Sequence, residues 1–232
     1  NRLLALLSKM FNLAEGWGMR PDASNPCRHV EKFRERSRER YLNADEIARL
    51  AKALDDGVRV QTLTPYMAAA VRLLLLTGAR LNEVLTARWE WVDWERRLIA
   101  LPDSKTGAKP LYLSATAIEI LRDLQSLPTS EASPFIIRGR SADRPLVNLA
   151  KPWNRICEMA ELEGVRLHDL RHTAASVAVG QGVSLPIIGR LLGHSQASTT
   201  QRYAHVDADP ALAAADRVGE MIGGAMGRRS GE

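Results

Sequence analysis

The apolar residues of this chain change their period at residues 97–114, and that change constrains the fold class more than any other feature. Upstream they recur at helical spacing: Leu3, Leu6, Leu7, Met10, Phe11 and Ala14 first, then Ile47, Leu50 and Leu54 behind an Asn43 capping signal. Met67, Val71, Leu74 and Leu75 follow in a run from Pro65 to Thr77 that Gly78 interrupts. Within 97–114 the period shortens. Arg97–Pro102 and Lys109–Ser114 read as two short strands flanking Asp-Ser-Lys-Thr-Gly-Ala, a hairpin with Lys105 near its tip. Downstream the helical period returns over 115–126 and 149–163, with a short strand expected at Phe135–Ile137. Helices are then expected from 167 to Gly180, from Ser184 to Gly193, from Ser198 onward, and weakly over 210–226. The fold class is therefore mainly α with a small β-hairpin or three-stranded antiparallel sheet (α+β).

A length of 232 residues suits one large domain or one domain plus a fragment. We divide it into 1–25, the end of a preceding domain whose beginning is missing; 26–41, a basic mixed-charge linker; 42–206, the main domain; and 207–232, a tail helix. No apolar run approaches the ~18 residues of a membrane span, and no signal peptide is visible, so a soluble protein is expected. Cys27 and Cys157 lack any CxxC or Cys/His spacing and are read as unpaired thiols of a reduced compartment. The net charge of +5 is concentrated at the start, where residues 1–40 hold nine Lys/Arg against five acids. Lys32, Arg34, Arg36, Arg38 and Arg40 make the linker either a solvated run or a strap that tracks a polyanion.

The residues that carry chemistry lie at helix ends and turn tips. Arg80 and Glu83 are three apart at a helix start, and His168 and Arg171 share a helix face. His194 falls just past Gly193. Tyr203 falls in the first or second turn after a Ser198/Gln201 capping box, where a tyrosine can point out of the core. Taken singly, Tyr203 is an ordinary half-buried aromatic, His194 a loop histidine and Lys105 a solvated tip. Five tracts in order change that reading: Thr77–Leu85 (TGARLNEVL), Ser104–Gly107 (SKTG), His168–Thr173 (HDLRHT), Leu191–Ser195 (LLGHS) and Thr200–His205 (TQRYAH). Together they resemble the tyrosine recombinase (phage integrase) family over about residues 40–206, with residues 1–25 resembling the end of its core-binding domain.

That resemblance implies a catalytic set of Arg80, Lys105, His168, Arg171, His194 and the nucleophile Tyr203, with Glu83 in support. It also implies double-stranded DNA as partner, a homotetramer on paired DNA sites, no cofactor, no metal, no membrane and a cytoplasmic location. The chemistry suits the residue types. Two forked guanidiniums match the charge that develops on a phosphodiester. A phenol with a reference pKa of about 10 needs a base or an electropositive site; His168 is the candidate for its proton. A hairpin lysine can protonate the leaving 5′ oxygen. Two readings compete. A non-catalytic DNA-binding relative would lose nucleophile or clamp. A metal-dependent hydrolase would draw on His168, His172, His194 and His205, but His-Asp-Leu-Arg-His offers no carboxylate at the usual base position, and His172 is better read as a core residue.

Overall fold

The computed structural model describes residues 1–34, 40–102, 107–128, 133–194, 197–201, 203, 218–220 and 222. The chain divides into two units, 1–39 and 40–232.

In the first unit, α1 (Arg2–Gly16) carries the expected apolar stripe, yet none of its residues is buried and Leu3, Leu6 and Met10 are exposed. The following segment folds back on α1 through Asn25, whose Nδ2 donates to Ser8 O at 3.1 Å and Asn12 Oδ1 at 2.7 Å. Lys32 and Arg34 are exposed; Arg36 and Arg38 lie outside the described residues.

The second unit is built around α3. Helix α2 (Ala44–Arg59) starts in a full capping box, with Glu46 N donating to Asn43 Oδ1 at 2.8 Å and Asn43 N to Glu46 Oε2 at 3.0 Å. Arg40 donates from Nη1 to that same Glu46 Oε2 at 3.0 Å, so its charge is engaged within the domain. Helix α3 (Pro65–Thr77) starts at a Thr64 cap with Pro65 in its first turn, and buries Ala68, Ala69, Ala70, Val71, Leu73 and Leu74. Apolar residues all round make it a central helix rather than a surface one; α2, α5 (Ala115–Gln125) and α7 (Asp169–Gly180) pack on it. It stops at Gly78, whose φ of +62° closes the helix in the left-handed region that glycine reaches without strain. Helix α4 (Leu81–Leu85) restarts the chain two residues later, with Arg80 at its N-cap.

The sheet is antiparallel, ordered β1 (Val92–Asp93), β2 (Leu98–Leu101), β3 (Lys109–Tyr112), with Val92 opposite Ile99 and Ile99 opposite Leu111. Ile99, Leu101 and Leu111 face the core. The third strand is thus Val92–Asp93. Phe135–Ile137, expected as a strand, makes only an isolated bridge of Phe135 with Arg88, although Ile136 N does donate to Ala87 O at 2.9 Å. Ile136 and Ile137 are fully buried, so apolar content without a long pairing partner imitates a strand. Helix α6 is shorter than expected, Ala150–Met159, and Trp153 Nε1 anchors the loop after it by donating to Val165 O at 3.0 Å.

Helices α7, α8 (Leu185–Leu192) and α9 (Ala197–Gln201) complete the domain. They share a small satellite core of Ala175, Val179, Ile188, Leu192 and Tyr203, separate from the main one. Tyr203 lies beyond α9 rather than inside it, on a turn in which its N–H donates to Thr200 O at 3.0 Å. Its ring is buried, 6% exposed, and does not point outward; an aromatic placed between two small helices removes more apolar surface inward than a solvent-facing pose would. Of the expected 210–226 helix, residues 218–220 and 222 are described and are helical; the rest of it and the Lys105 hairpin tip lie outside the described residues. Among the described residues, no helix is long and apolar enough to cross a membrane.

Candidate active site

Four chain segments converge at the end of α3. Arg80 reaches the site because Gly78 ends α3 and the chain turns into α4. Its backbone N–H donates to Glu83 Oε2 and its Nη1 to Glu83 Oε1, both at 2.8 Å. Glu83 is 7% exposed and carries a second cation: Lys109 Nζ, from the first residue of β3, stands 2.8 Å from Oε2. Burial alone would raise the Glu83 carboxyl, but the Lys109 and Arg80 hydrogen bonds outweigh it and hold the group below the usual carboxylate range. Burial pulls the Lys109 ammonium down against the opposing pull of Glu83, and the charges of Arg80 and Arg171 add to the lowering.

Arg171, in the first turn of α7, is 4% exposed. Its Nη1 donates to Gly78 O at 2.6 Å and to Leu192 O at 2.9 Å, tying the end of α3 to the end of α8. Both bonds use one nitrogen, which leaves Nε and Nη2 with no bond to a described residue. Burial, then the neighbouring Arg80 charge, lowers its affinity for a proton; Glu83 and Tyr203 act the other way. Two guanidiniums close enough to repel, each with donors to spare, form an anion site.

Leu192 O also accepts from Lys109 Nζ at 3.4 Å. The lysine passes over Gly193, where a Cβ would come within 2.6 Å of its Cδ and where φ is +68°. The turn at Gly193 delivers His194, whose Nδ1 lies 2.7 Å from Oγ1 of the buried Thr200. With Nδ1 engaged by Thr200, Nε2 is the nitrogen that a ligand would meet. His168 sits at the start of α7, exposed, and stacks edge-on against His172 with ring centroids 5.0 Å apart. It is His172, read from sequence as a core residue, that reaches the phenol: Nδ1 lies 2.7 Å from Tyr203 Oη.

The described members of the expected set, Arg80, Glu83, His168, Arg171, His194 and Tyr203, therefore belong to one neighbourhood, linked through Leu192, Gly78 and His172. Lys105 falls outside the described residues. Sequence reasoning missed Lys109, Thr200 and the contact of His172. The signals were faint: a lysine opening a strand beside a tight glycine turn, a threonine six residues after a histidine, and a histidine one turn after His168. Among the described residues, no three His, Cys, Asp or Glu side chains converge in a metal-holding group.

A mainly helical domain with a small three-stranded sheet thus gathers arginine, histidine and tyrosine side chains near the end of its central helix. The model of the phage integrase family matches residues 40–209, and the chain belongs to that family. It is 30% identical to the shufflon-specific DNA recombinase of Escherichia coli over 209 residues, covering 88% of this chain and 50% of the relative. It is 30% identical to the tyrosine recombinase XerC of Thermodesulfovibrio yellowstonii, covering 79% of this chain and 64% of that one. The chain thus spans about half to two thirds of the length of these relatives. Among solved structures, a lambda integrase dimer bound to a COC' core site superposes with a TM-score of 0.65 at 19% identity, covering 86% of this chain and 70% of that one. XerH bound to its difH substrate superposes with a TM-score of 0.63 at 21% identity, covering 92% of this chain and 61% of that one. At these identities, the structural likeness concerns the fold.

Proposed function

We propose that the protein is a site-specific DNA recombinase that cuts and rejoins DNA through a covalent 3′-phosphotyrosyl intermediate, without metal or cofactor. The observation that carries this reading is the packing of the buried Tyr203 against Leu192, whose carbonyl accepts from Arg171, with Arg171 also bonded to Gly78 O two residues before Arg80, which Glu83 holds. The guanidiniums of Arg80 and Arg171 clamp the non-bridging oxygens of the scissile phosphate, and His168 and His194 add hydrogen bonds from either side. Charge that develops there meets donors already held in place by Gly78 O, Leu192 O and Glu83, so little reorganisation accompanies the step. Tyr203 Oη attacks phosphorus in line, the bond to the 5′ oxygen breaks, and Lys105 protonates that leaving oxygen. The phosphotyrosyl ester keeps the bond energy, so a second 5′ hydroxyl can reverse the reaction.

Double-stranded DNA is the partner in this reading, tracked by Lys32, Arg34, Arg36 and Arg38. The related lambda integrase has been seen as a tetramer bound to a Holliday junction, and a homotetramer on paired sites, working in the cytoplasm, is the assembly we propose here. The test is a nicked suicide duplex carrying a target selected for binding from random sequence, incubated with protein in EDTA and resolved on a denaturing gel. An adduct that forms with wild type and is absent with Tyr203→Phe, while DNA binding persists, is the expected result. Binding without any adduct overturns the reading in favour of a non-catalytic DNA-binding relative.

A further inference from the structure

We propose that His172 is the group that takes the proton from Tyr203 as it attacks, a role the sequence had directed to His168; this rests on the reading of Tyr203 as nucleophile. A general base must stand within hydrogen-bond distance of the proton it removes, and His172 Nδ1 lies 2.7 Å from the phenolic oxygen. His168 meets the edge of the His172 ring, at 5.0 Å between centroids, rather than the phenol.

The setting favours an imidazole that is neutral and held in one orientation. His172 is half-buried on α7, one residue after the buried Arg171. Its ring lies 5.8 Å from that of Tyr203 and tilted to it by 51°, so the two are fixed by packing as well as by the hydrogen bond. The charged and titratable groups bearing on the pair are His168 in the preceding turn, Arg171 and, through it, Arg80 and Glu83 at α4 and Lys109 on β3. Arg171, Arg80 and Lys109 are cationic, against the single carboxylate of Glu83. Positive surroundings disfavour a second proton on the ring and stabilise the phenolate that the transfer creates.

With its own proton on Nε2, neutral His172 accepts the Tyr203 proton on Nδ1 and becomes imidazolium, while the freed electron pair on Oη forms the bond to phosphorus. The phosphorus–O5′ bond breaks and its electron pair leaves on the 5′ oxygen, which takes a proton from Lys105. On rejoining, the incoming 5′ hydroxyl gives its proton to the neutral Lys105 amine, its oxygen bonds to phosphorus as the bond to Tyr203 breaks, and the imidazolium returns its proton to the departing phenolate. A phenol ionised to about one part in a thousand at neutral pH gains directly from such an acceptor.

The experiment is single-turnover adduct formation on the suicide duplex at saturating protein, between pH 5.5 and 9.5, for wild type, His172→Ala and His172→Gln. DNA affinity and thermal melts are measured alongside. In wild type the rate should fall towards the acid end of this range, with a midpoint below the ordinary histidine value of about 6.5. His172→Ala should be slower by about 10²-fold at neutral pH, lose that acidic limb and speed up towards alkaline pH, with DNA affinity retained. His172→Gln, which keeps a side-chain hydrogen bond but cannot take a proton in this range, should resemble His172→Ala. Recovery of wild-type rate and pH profile by Gln overturns proton transfer and leaves only positioning. Wild-type rates in both variants overturn the assignment while leaving Tyr203 as nucleophile. Absence of any wild-type adduct on bound DNA removes the nucleophile and this role together.

Discussion

Lys109 Nζ and Glu83 Oε2 stand 2.8 Å apart with side chains only 10% and 7% exposed, and this pair joins the sheet to the arginine clamp. The same ammonium touches Leu192 O, so strand β3, helix α4 and the turn into His194 are held by one side chain. Removing one partner of a buried pair leaves the other charged and unpaired. Lys109→Met should therefore destabilise the domain by about 3 kcal/mol, with a fall in Tm of roughly 6–12 °C for a domain of this size. The double variant Glu83→Gln/Lys109→Met should recover part of that loss. Urea unfolding of the two single variants and the double one measures the coupling; additive losses would dissolve the pair as a unit.

Gly78 has two separate reasons to be glycine. Its φ is +62°, and a Cβ there would come within 2.4 Å of Leu192 Cδ2. Gly78→Ala should cost about 1–2 kcal/mol for the left-handed backbone alone, and more for the displaced leucine. Because Gly78 O and Leu192 O are the two acceptors of Arg171, adduct formation should fall with stability. A thermal melt and a cleavage time course on the same preparation check both effects.

The acid sensitivity of the domain should centre on Glu46. Its hydrogen bond with Arg40 outweighs burial, and the Asn43 N–H adds to it, so the carboxyl is lowered from its ordinary 4.5 to about 2. A depressed carboxylate contributes stability that is complete above the unfolded value and is lost as the pH falls through the folded one. The window therefore runs from about pH 4.5 down to about 2. Urea midpoints at pH 7 and pH 3 should differ more for wild type than for Glu46→Gln, which has no proton to gain; equal differences would assign the acid transition elsewhere.

Thr200 fixes His194. Replacing its hydroxyl by a methyl group in Thr200→Val keeps the buried volume but leaves His194 Nδ1 without this partner at 2.7 Å. The imidazole then loses the restraint that this hydroxyl places on its orientation and tautomer. Adduct formation should slow by about 10-fold, equivalent to about 1.4 kcal/mol on the barrier, with DNA binding unchanged. A single-turnover time course beside a binding titration separates the two quantities.

Much of the scaffold was legible in the chain. Asn43, Thr64 and Ser114 cap the helices expected behind them, Gly78 and Gly193 end theirs in the left-handed region, and the period change at 97–114 is the β2–β3 pair. These are local effects, set by a residue and its neighbours within one turn. The Phe135–Ile137 segment was misread for the same reason, since short apolar runs look alike whether they pair along a strand or are simply buried.

The site divides along the same line. The sequence by itself determined which groups are available: two arginines at helix starts, histidines beside helix ends and a tyrosine behind the Ser198/Gln201 capping signal, with the residue types that phosphoryl transfer needs. Only the tertiary structure decided their partners. The pairing of Lys109 with Glu83, the crossing of Arg171 to Gly78 and Leu192, and the meeting of His172 with Tyr203 span 26, 93, 21 and 31 positions of chain. No local propensity encodes such contacts. They arise because α3, α7 and α8 bury their apolar faces against one another, and the polar atoms at their ends, shielded there from water, must satisfy each other.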